Sequence, residues 1–207
     1  MVKQHDPSKP IRVGIADKSP LMRAALKQLF SEDHRLQLVS ASENSDEFLK
    51  LLESVQMDVA VVGWIIPPGD ARFILDRLQT RKNSPRIVVY TGFENGSVPA
   101  QIMAHGGAAF VSKNEQPIHL LNTIVQVAGG SMVFPYLDVS QLNANPLGTL
   151  TKRELEILAS LAAGRTNKEI ASEKGVSTNT VKYHIRNLFE KLGVSNRGQA
   201  IALYLKS

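Results

Sequence analysis

Residues 150–194, LTKRELEILASLAAGRTNKEIASEKGVSTNTVKYHIRNLFEKLGV, predict a compact group of short helices. Two Thr-x-x-Glu sequences have the spacing of a capping box, in which two side chains bond the free backbone amides at a helix start: Thr151 with Glu154 and Thr166 with Glu169. Gly164 and Gly175 are predicted to end the first two helices, because glycine adopts the left-handed conformation at the lowest cost. Ser177 can then cap a third helix. Short helices joined through a glycine-containing turn indicate a helix-turn-helix, and the third helix would enter a DNA groove.

The predicted helices separate apolar from polar side chains. In the first helix, the residues expected to face the core are Leu155, Leu158, Ala159 and Ala162. In the third, the apolar positions follow i, i+4, i+7 and i+11: Val181, Ile185, Leu188 and Leu192. The opposite face of the third helix carries hydrogen-bonding side chains: Asn179, Lys182, Tyr183 and Arg186. Lys182 and Arg186 lie one turn apart and can reach base acceptors or phosphates together in a major groove.

Charge distribution separates this interpretation from its alternative, a solvated face on an ordinary amphipathic helix. Residues 147–207 contain ten Lys and Arg against five Asp and Glu, from totals of 24 and 19 in the chain. The other residues therefore carry fourteen charges of each sign, and the whole net charge of +5 lies on the helix-turn-helix segment. A basic segment of this kind is the electrostatic signature of binding to double-stranded DNA.

The same segment resembles the C-terminal domain of the NarL/FixJ/LuxR family of bacterial transcription factors, a four-helix helix-turn-helix unit. The matching motifs are LTKRELEIL, NKEIA, VSTNTVKYHIRNLFEKLGV and RGQAIALYL. The resemblance implies that Lys182, Tyr183 and Arg186 face the bases. It implies that a further set holds the phosphate backbone or the helix entry: Thr166, Asn167, Lys168, Thr178, Thr180, His184 and Lys191. The last helix, residues 199–205, either pairs two domains on DNA or closes the domain core, and for Ile201 we favour the core.

Composition restricts the class of protein. With 207 residues and 43% apolar content, the chain can build two cores. It has no cysteine, so disulfides and thiolate chemistry are excluded. The five histidines have no metal-ligand spacing, and we expect no metal, no cofactor and no enzymatic activity. The polar start MVKQHDPSKP and the lack of a run of about 20 apolar residues lead us to expect a cytoplasmic protein without membrane contact.

The N-terminal part alternates short apolar runs with amphipathic stretches. The predicted buried strands are 11–16, 36–41, 58–63, 86–90 and 108–111, and the predicted helices are 20–30, 45–55, 71–80, 97–105 and 117–128. Five such units predict a doubly wound α/β domain with a parallel five-stranded sheet and a functional edge at the strand C-termini. We expect this domain at 9–128, a linker at 129–147 that is rich in Gly, Pro, Asn and Ser, and the all-α domain at 148–207.

The N-terminal domain resembles the receiver domain of response regulators, through IRVGIAD, DVAVV, VVYTG and GAAFVSK followed by a proline-started helix. The resemblance implies phosphoryl transfer to an aspartate after the third strand, with Mg²⁺ held by two acids after the first. This chain has Gly63 at the acceptor position, and Asp17 is followed by Lys18. Thr91 and Lys113 match the hydroxyl and lysine of the family, and Phe110 its aromatic switch position. We interpret Thr91 and Lys113 as residues that support the fold.

The departures from the family pattern predict a pseudo-receiver. Glycine offers no oxygen nucleophile, so no acyl-phosphate can form at Gly63. Mg²⁺ prefers several oxygen ligands, and Asp17 beside Lys18 is a poor set of ligands. Lys18 could instead pair with Asp17 and neutralise the pocket. Asp70 follows Gly63 by seven residues, past two prolines, and cannot replace the acceptor in register.

Several functions stay open at this point. The first is a transcription regulator that binds promoter DNA as a homodimer, independently of phosphorylation. The second is an adaptor or antagonist, in which the pseudo-receiver binds a protein partner. The third is a regulator that senses a small molecule; some relatives without a phosphorylation site bind a cyclic dinucleotide through a Trp-x-x-Arg pattern. Here Trp64 is followed by Ile65, Ile66 and Pro67, so the pattern is absent, and Trp64 is predicted to anchor a loop or an interface.

Overall fold

The computed structural model of the chain describes residues 9–81, 83–92, 97–135, 147, 150–194 and 196–206. The chain divides into two compact units, the first containing the sheet and the second the C-terminal helices. The strands are β1 (Ile11–Ala16), β2 (Leu36–Ser42), β3 (Val59–Gly63), β4 (Ile65–Ile66), β5 (Gly69–Asp70), β6 (Arg86–Thr91) and β7 (Ala109–Ser112). The helices are α1 (Pro20–Ser31), α2 (Ser45–Leu51), α3 (Ala71–Gln79), α4 (Ser97–Ala104), α5 (Pro117–Ala128), α6 (Lys152–Ala162), α7 (Asn167–Lys174), α8 (Thr178–Leu192) and α9 (Arg197–Lys206).

The first unit is the predicted doubly wound α/β domain. Five parallel strands form one sheet in the order β2-β1-β3-β6-β7. The strand order reverses between β1 and β3, and such a switch point places a crevice at the carboxyl ends of those two strands. Both faces of the sheet are covered, so the strands are apolar throughout, as β3 with its five buried residues shows. The crevice therefore opens beside Asp17, which follows β1, and Gly63, which ends β3.

Helices α1 and α5 share one core with the sheet. Leu26 and Phe30 of α1 and Ile124 of α5 pack in the same apolar cluster as Val13 and Val61. Pro20 begins α1, where its missing N–H costs nothing, and the Ser19 hydroxyl accepts from the backbone N–H of Met22 at 3.3 Å. Helix α1 is therefore fixed at its start, directly after the end of β1.

The segment after β3 differs from the prediction. Strands β4 and β5 form a small antiparallel pair that the sequence did not indicate. Trp64 is only 1% exposed, and the Arg72 guanidinium lies 5.5 Å from its ring centre, so an interface anchor is excluded and the other predicted role, a loop anchor, is the one compatible with its burial. Its large apolar surface is buried inside the first unit instead. Asp70 is also buried; it caps α3 by accepting from the Arg72 N–H at 3.0 Å.

The first residues expected in the linker lie against the sheet. The Val133 N–H donates to the Ala108 carbonyl, and the Phe110 N–H donates to the Val133 carbonyl, both at 3.0 Å. Val133 thereby forms a parallel bridge with Ala109 at the edge of β7. Residues 136–146 of the expected linker, and residues 148–149 at the start of the expected all-α domain, lie outside the described residues.

The second unit has the predicted caps. Both capping boxes are formed with reciprocal hydrogen bonds, Thr151 with Glu154 and Thr166 with Glu169. The Ser177 side chain accepts from the Thr180 N–H at the start of α8. Gly175 ends α7 in the left-handed conformation with φ 64°, as predicted. The four helices confirm the all-α fold predicted for this part of the chain.

Of the four α6 residues predicted to face the core, Leu158 is buried, Ala159 and Ala162 are half-buried, and Leu155 is not part of the buried stripe. Leu155 is 39% exposed, whereas Ile157, Leu158 and Leu161 are buried together with Glu154. The true stripe has the spacing i, i+3, i+4 and i+7 and begins at a carboxylate, which sequence patterns assign to solvent. The prediction for α8 is correct, since Val181, Leu188 and Leu192 are buried and Ile185 packs against the core. Ile201 of α9 also packs against this core, as favoured.

Arginine side chains donate to carbonyls at the ends of helices in both units. Arg86 donates to the carbonyls of Val127 and Ala128, at 2.6 and 2.8 Å, at the end of α5. Arg197 of α9 donates to the Leu161 carbonyl at 2.9 Å, at the end of α6. These charge-assisted bonds add to the turn hydrogen bonds that the Val127 and Leu161 carbonyls accept from the N–H groups of Gly130 and Gly164. Among the described residues, no helix is both long and apolar enough to cross a membrane.

Candidate functional site

The exposed face of α8 is the first candidate site. Lys182, Tyr183, Arg186 and Asn179 are all exposed, and Tyr183 is 62% exposed. The buried positions Val181 and Leu188 lie on the opposite side of the same helix. The predicted division of α8 is therefore present: one side packs in the core and the other presents donors to solvent. The roles of these donors on DNA stay a prediction.

The other residues predicted to hold DNA surround the starts of α7 and α8. Thr166, Lys168 and Thr178 are exposed, whereas Asn167, Thr180 and His184 are half-buried. The hydroxyls of Thr166 and Thr180 already have local partners, since Thr166 donates to Glu169 at 2.8 Å and Thr180 lies 2.9 Å from the Ser177 hydroxyl. The His184 ring meets the Tyr183 ring edge-on at 5.7 Å. The starts of both helices therefore face solvent, as an entry to the phosphate backbone requires.

Lys191 differs from the other predicted phosphate contacts. Its ammonium donates to Oε2 of Glu154 at 2.7 Å, and Glu154 is only 3% exposed. The same oxygen accepts from the Thr151 N–H and hydroxyl, at 2.8 and 2.9 Å. Lys191 therefore connects the last turn of α8 to the start of α6 and supports the fold. No sequence pattern links two residues 37 positions apart, and the only signal was the charge of Glu154 within a capping box.

The surroundings of Glu154 also set its protonation. Burial raises the pKa of Glu154, but the hydrogen bonds from Lys191 and from Thr151 outweigh burial and leave the pKa below its ordinary value. The ionised form is therefore the form that the folded unit stabilises.

The second candidate site is the crevice at the ends of β1 and β3. Asp17 is 4% exposed, and its Oδ2 accepts from the Lys113 ammonium at 2.8 Å. Its Oδ1 accepts from the Ser19 N–H at 2.8 Å. The Arg23 guanidinium bonds the Asp17 main-chain carbonyl at 2.7 Å. Both carboxylate oxygens of Asp17 are thus held by donors of the same domain.

Gly63 lies directly against this carboxylate. A β-carbon at Gly63 would stand 2.7 Å from Oδ2 of Asp17, closer than real side chains approach. Thr91 is buried beside the site, and its carbonyl accepts from the Lys113 N–H at 2.8 Å. Lys18 is exposed, so the suggestion that it pairs with Asp17 is wrong: Lys113, 96 residues away, forms that pair. Lys18 follows the buried Asp17 directly, and its side chain lies in solvent.

The crevice does not fit the Mg²⁺ that a receiver domain requires. The two carboxylate oxygens of Asp17 already accept from Lys113 and Ser19. Asp70 is held by Arg72 through an ion pair of 2.6 Å. Within the described ranges, no three His, Asp or Glu residues converge as a metal site. A hard divalent cation needs several oxygen ligands, and these residues do not supply them.

Comparison with known families gives two matches. Residues 13–125 match the response regulator receiver domain, and residues 148–204 match the bacterial regulatory proteins of the luxR family. The receiver match falls mainly in the first compact unit, and the luxR-family match falls within the second.

Two curated proteins are similar over nearly the whole chain. Identity is 40% over 195 residues to the probable transcriptional regulatory protein SgaR of Hyphomicrobium methylovorum, covering 94% of this chain and 92% of SgaR. Identity is 31% over 205 residues to the nitrate/nitrite response regulator protein NarP of Escherichia coli, covering 95% of each.

Solved structures share the fold at lower identity. RcsB of Salmonella enterica serovar Typhimurium, bound to a promoter in the presence of the phosphomimetic BeF3-, superposes with a TM-score of 0.60 at 22% identity. The match covers 94% of this chain and 97% of that one. A structure of two RcsB dimers bound to two parallel DNAs gives a TM-score of 0.58 at 22% identity and covers 95% and 98% of the two chains.

Proposed function

This chain belongs to the luxR family as a DNA-binding transcriptional response regulator, and we propose that it binds promoter DNA as a homodimer without phosphorylation of its receiver domain. The exposed donor face of α8 is the observation that carries the DNA part of this proposal. Because its target is DNA, we place the protein in the cytoplasm.

We assign base reading to exposed donors of α8. Among the described residues, these donors form no ion pair with another side chain. Lys182 and Arg186 lie one turn apart on the exposed face, and Arg and Lys donate well to the acceptors of guanine in the major groove. Tyr183 adds an exposed ring with a hydroxyl. Asn179 stands at the N-terminal end of the same face, which is the end that meets base edges in helix-turn-helix proteins.

Phosphate contacts fix the orientation of the unit on the duplex. Lys168 is exposed on α7, and the backbone amides at the starts of α7 and α8 add positive helix ends. We assign further contacts with the backbone or the helix entry to residues at the starts of α7 and α8: Thr166, Asn167, Thr178, Thr180 and His184. The net charge of +5 from 147 onwards supports this non-specific part of the affinity.

The homodimer follows from the size of the reading surface. One recognition helix contacts too few base pairs for useful selectivity, and two units on half-sites related by a two-fold axis solve this. The RcsB relatives that share this fold bind DNA as dimers, which supports the same arrangement here. Leu205 of α9 is 73% exposed, so α9 offers one apolar surface for pairing.

Independence from phosphorylation rests on the crevice. Gly63 has no nucleophilic atom, and Asp17 is bonded to Lys113 in the space where an acceptor side chain would stand. The residues that remain can neither accept a phosphoryl group at position 63 nor assemble the oxygen ligands of Mg²⁺.

An electrophoretic mobility assay on genomic fragments tests the proposal. We expect the purified full-length protein to shift a subset of fragments without any phosphodonor, with no gain in affinity after incubation with acetyl phosphate and Mg²⁺. The Arg186→Ala variant is the control for selectivity. Binding that appears only after treatment with acetyl phosphate would refute phosphorylation independence. A protein that shifts no fragment selectively would favour an adaptor.

A further inference from the structure

We infer that Asp17 replaces the side chain missing at position 63, and that Gly63 is required because the Asp17–Lys113 pair occupies its side-chain space. The two distances that carry the inference involve the same atom. Oδ2 of Asp17 lies 2.8 Å from the Lys113 ammonium, and a β-carbon on Gly63 would lie 2.7 Å from it. The ion pair, in the geometry seen here, and a β-carbon at position 63 therefore compete for the same space.

The position of Asp17 leaves its carboxylate little freedom to move away. Oδ1 accepts from the Ser19 N–H, and the Arg23 guanidinium holds the main-chain carbonyl of Asp17. Asp17 itself is 4% exposed, so turning its carboxylate aside would separate a buried charge from its partner. Of the residues that the structure describes, Asp17 is also the one that a β-carbon at position 63 meets closer than 3.8 Å. The destabilisation expected from a substitution of Gly63 therefore comes from moving the Asp17 carboxylate.

Lys113 is fixed from its own side. Its backbone N–H donates to the Thr91 carbonyl at 2.8 Å, and its ammonium lies 5.5 Å from the centre of the Tyr90 ring. The internal pair thus joins the ends of β1, β6 and β7 around Gly63 at the end of β3. The inference rests on the proposed function and deepens it. Asp17 gives Lys113 a carboxylate partner at all times, so the conformation of the crevice does not depend on phosphorylation.

A double-mutant cycle tests the shared atom. Trp64 is the only tryptophan of the chain, is buried and adjoins Gly63, so its fluorescence reports unfolding of the receiver in the full-length protein. We expect Gly63→Ala to raise the unfolding equilibrium constant about tenfold or more, the usual size when a buried polar group loses its partner. Gly92→Ala is the matched control, because a β-carbon at Gly92 meets nothing within 4 Å, and it should change little.

The second side of the cycle removes the contacted atom. In the Asp17→Ala background, Gly63→Ala should change the unfolding equilibrium constant by less than about twofold, since the close contact no longer exists. Equal effects of Gly63→Ala in both backgrounds would overturn the inference. Asp17→Asn keeps the shape of the side chain and serves where Asp17→Ala does not fold. With Asp17→Asn as the background, Gly63→Ala should have a smaller effect than in the wild type, because the neutral amide can turn aside without separating a buried charge from Lys113.

A small carboxylate provides an independent test of the internal ion pair. Asp17→Ala leaves the Lys113 ammonium and the Ser19 N–H without their acceptor, in the volume of the removed carboxylate. We expect sodium formate, relative to sodium chloride at equal ionic strength, to raise the denaturant midpoint of Asp17→Ala. It should leave the wild type and the Asp17→Ala/Lys113→Met variant unchanged. Formate without effect on Asp17→Ala, or with equal effect on all three, would contradict the pairing.

These tests do not depend on the proposed function succeeding. Phosphorylation of the wild-type protein would refute phosphorylation independence and leave the cycle and the formate result standing. A failed cycle would refute the internal replacement of the side chain while the protein stays inert to acetyl phosphate.

Discussion

Lys191 at the end of α8 donates to Glu154 at the start of α6 over 2.7 Å, and this pair fixes the recognition helix to the rest of its domain. Glu154 is buried, and its carboxylate also closes the capping box with Thr151. The side chain that sequence resemblance assigns to phosphate is therefore engaged inside the domain. Its replacement tests the fold as much as the interface.

The first prediction concerns stability. Lys191→Met should destabilise the C-terminal unit by about 1–3 kcal/mol, because it leaves a buried carboxylate without its charged donor. Circular dichroism reports the helices of both units, whereas Trp64 fluorescence reports the first unit. We expect the helical transition to move to lower denaturant while the fluorescence transition stays. Lys168→Met, at an exposed position of α7, is the matched control and should move neither.

The second prediction is a pH dependence of the same pair. The folded-state pKa of Glu154 lies below its ordinary value of 4.5, so its contribution is present above that pH and is lost as pH falls through the folded pKa. The wild type should therefore lose more stability than Lys191→Met when both are acidified from pH 6 to pH 3. Parallel stability curves for the two proteins would show that Lys191 does not lower the pKa of Glu154.

The third prediction separates base reading from phosphate binding. Lys182→Ala and Arg186→Ala should each weaken operator binding by about 1–3 kcal/mol and relax selectivity. Lys168→Ala should weaken binding to all sequences alike and lower the salt slope by about one. Lys27→Ala, on an exposed face of α1, removes the same charge as a control. Unchanged operator affinity in both α8 variants would mean that another surface reads the bases.

The fourth prediction concerns assembly. Sedimentation of the full-length protein at micromolar concentration, without a phosphodonor, should show dimers free or on operator DNA. Leu205→Glu places a charge on the exposed apolar residue of α9 and should weaken pairing if α9 forms the dimer. Dimers that survive in Leu205→Glu assign pairing to the receiver domain. A monomer both free and on DNA would contradict the homodimer.

Much of this molecule could be predicted from local sequence. The capping boxes, the left-handed Gly175 and the stripe of α8 depend on neighbours within a few residues, and the structure has all of them. Alternating apolar runs predicted the parallel sheet, and both family resemblances are confirmed. These features share one property: the interactions that stabilise them are set by spacing along the chain.

The features that sequence patterns missed depend on distant partners. Asp17 and Lys113 are 96 residues apart, and Glu154 and Lys191 are 37 apart, so no periodicity relates them. Trp64 directly follows β3, at the carboxyl end of the sheet, where loops are common. Only the tertiary packing shows that it is buried. A buried carboxylate such as Glu154 contradicts the average behaviour of its residue type, which is why the stripe of α6 was misassigned.

The central claim is that the receiver domain works without an acyl-phosphate, and mass spectrometry of the intact protein tests it most directly. The full-length protein is incubated with acetyl phosphate and Mg²⁺. Its mass is measured promptly, with only brief exposure to acid, so that an acyl-phosphate would survive. We expect an unchanged mass, because Gly63 offers no nucleophile and Asp17 is hydrogen-bonded to Lys113. One added phosphoryl group per chain, mapped to Asp17, Asp70 or any other aspartate, would contradict it.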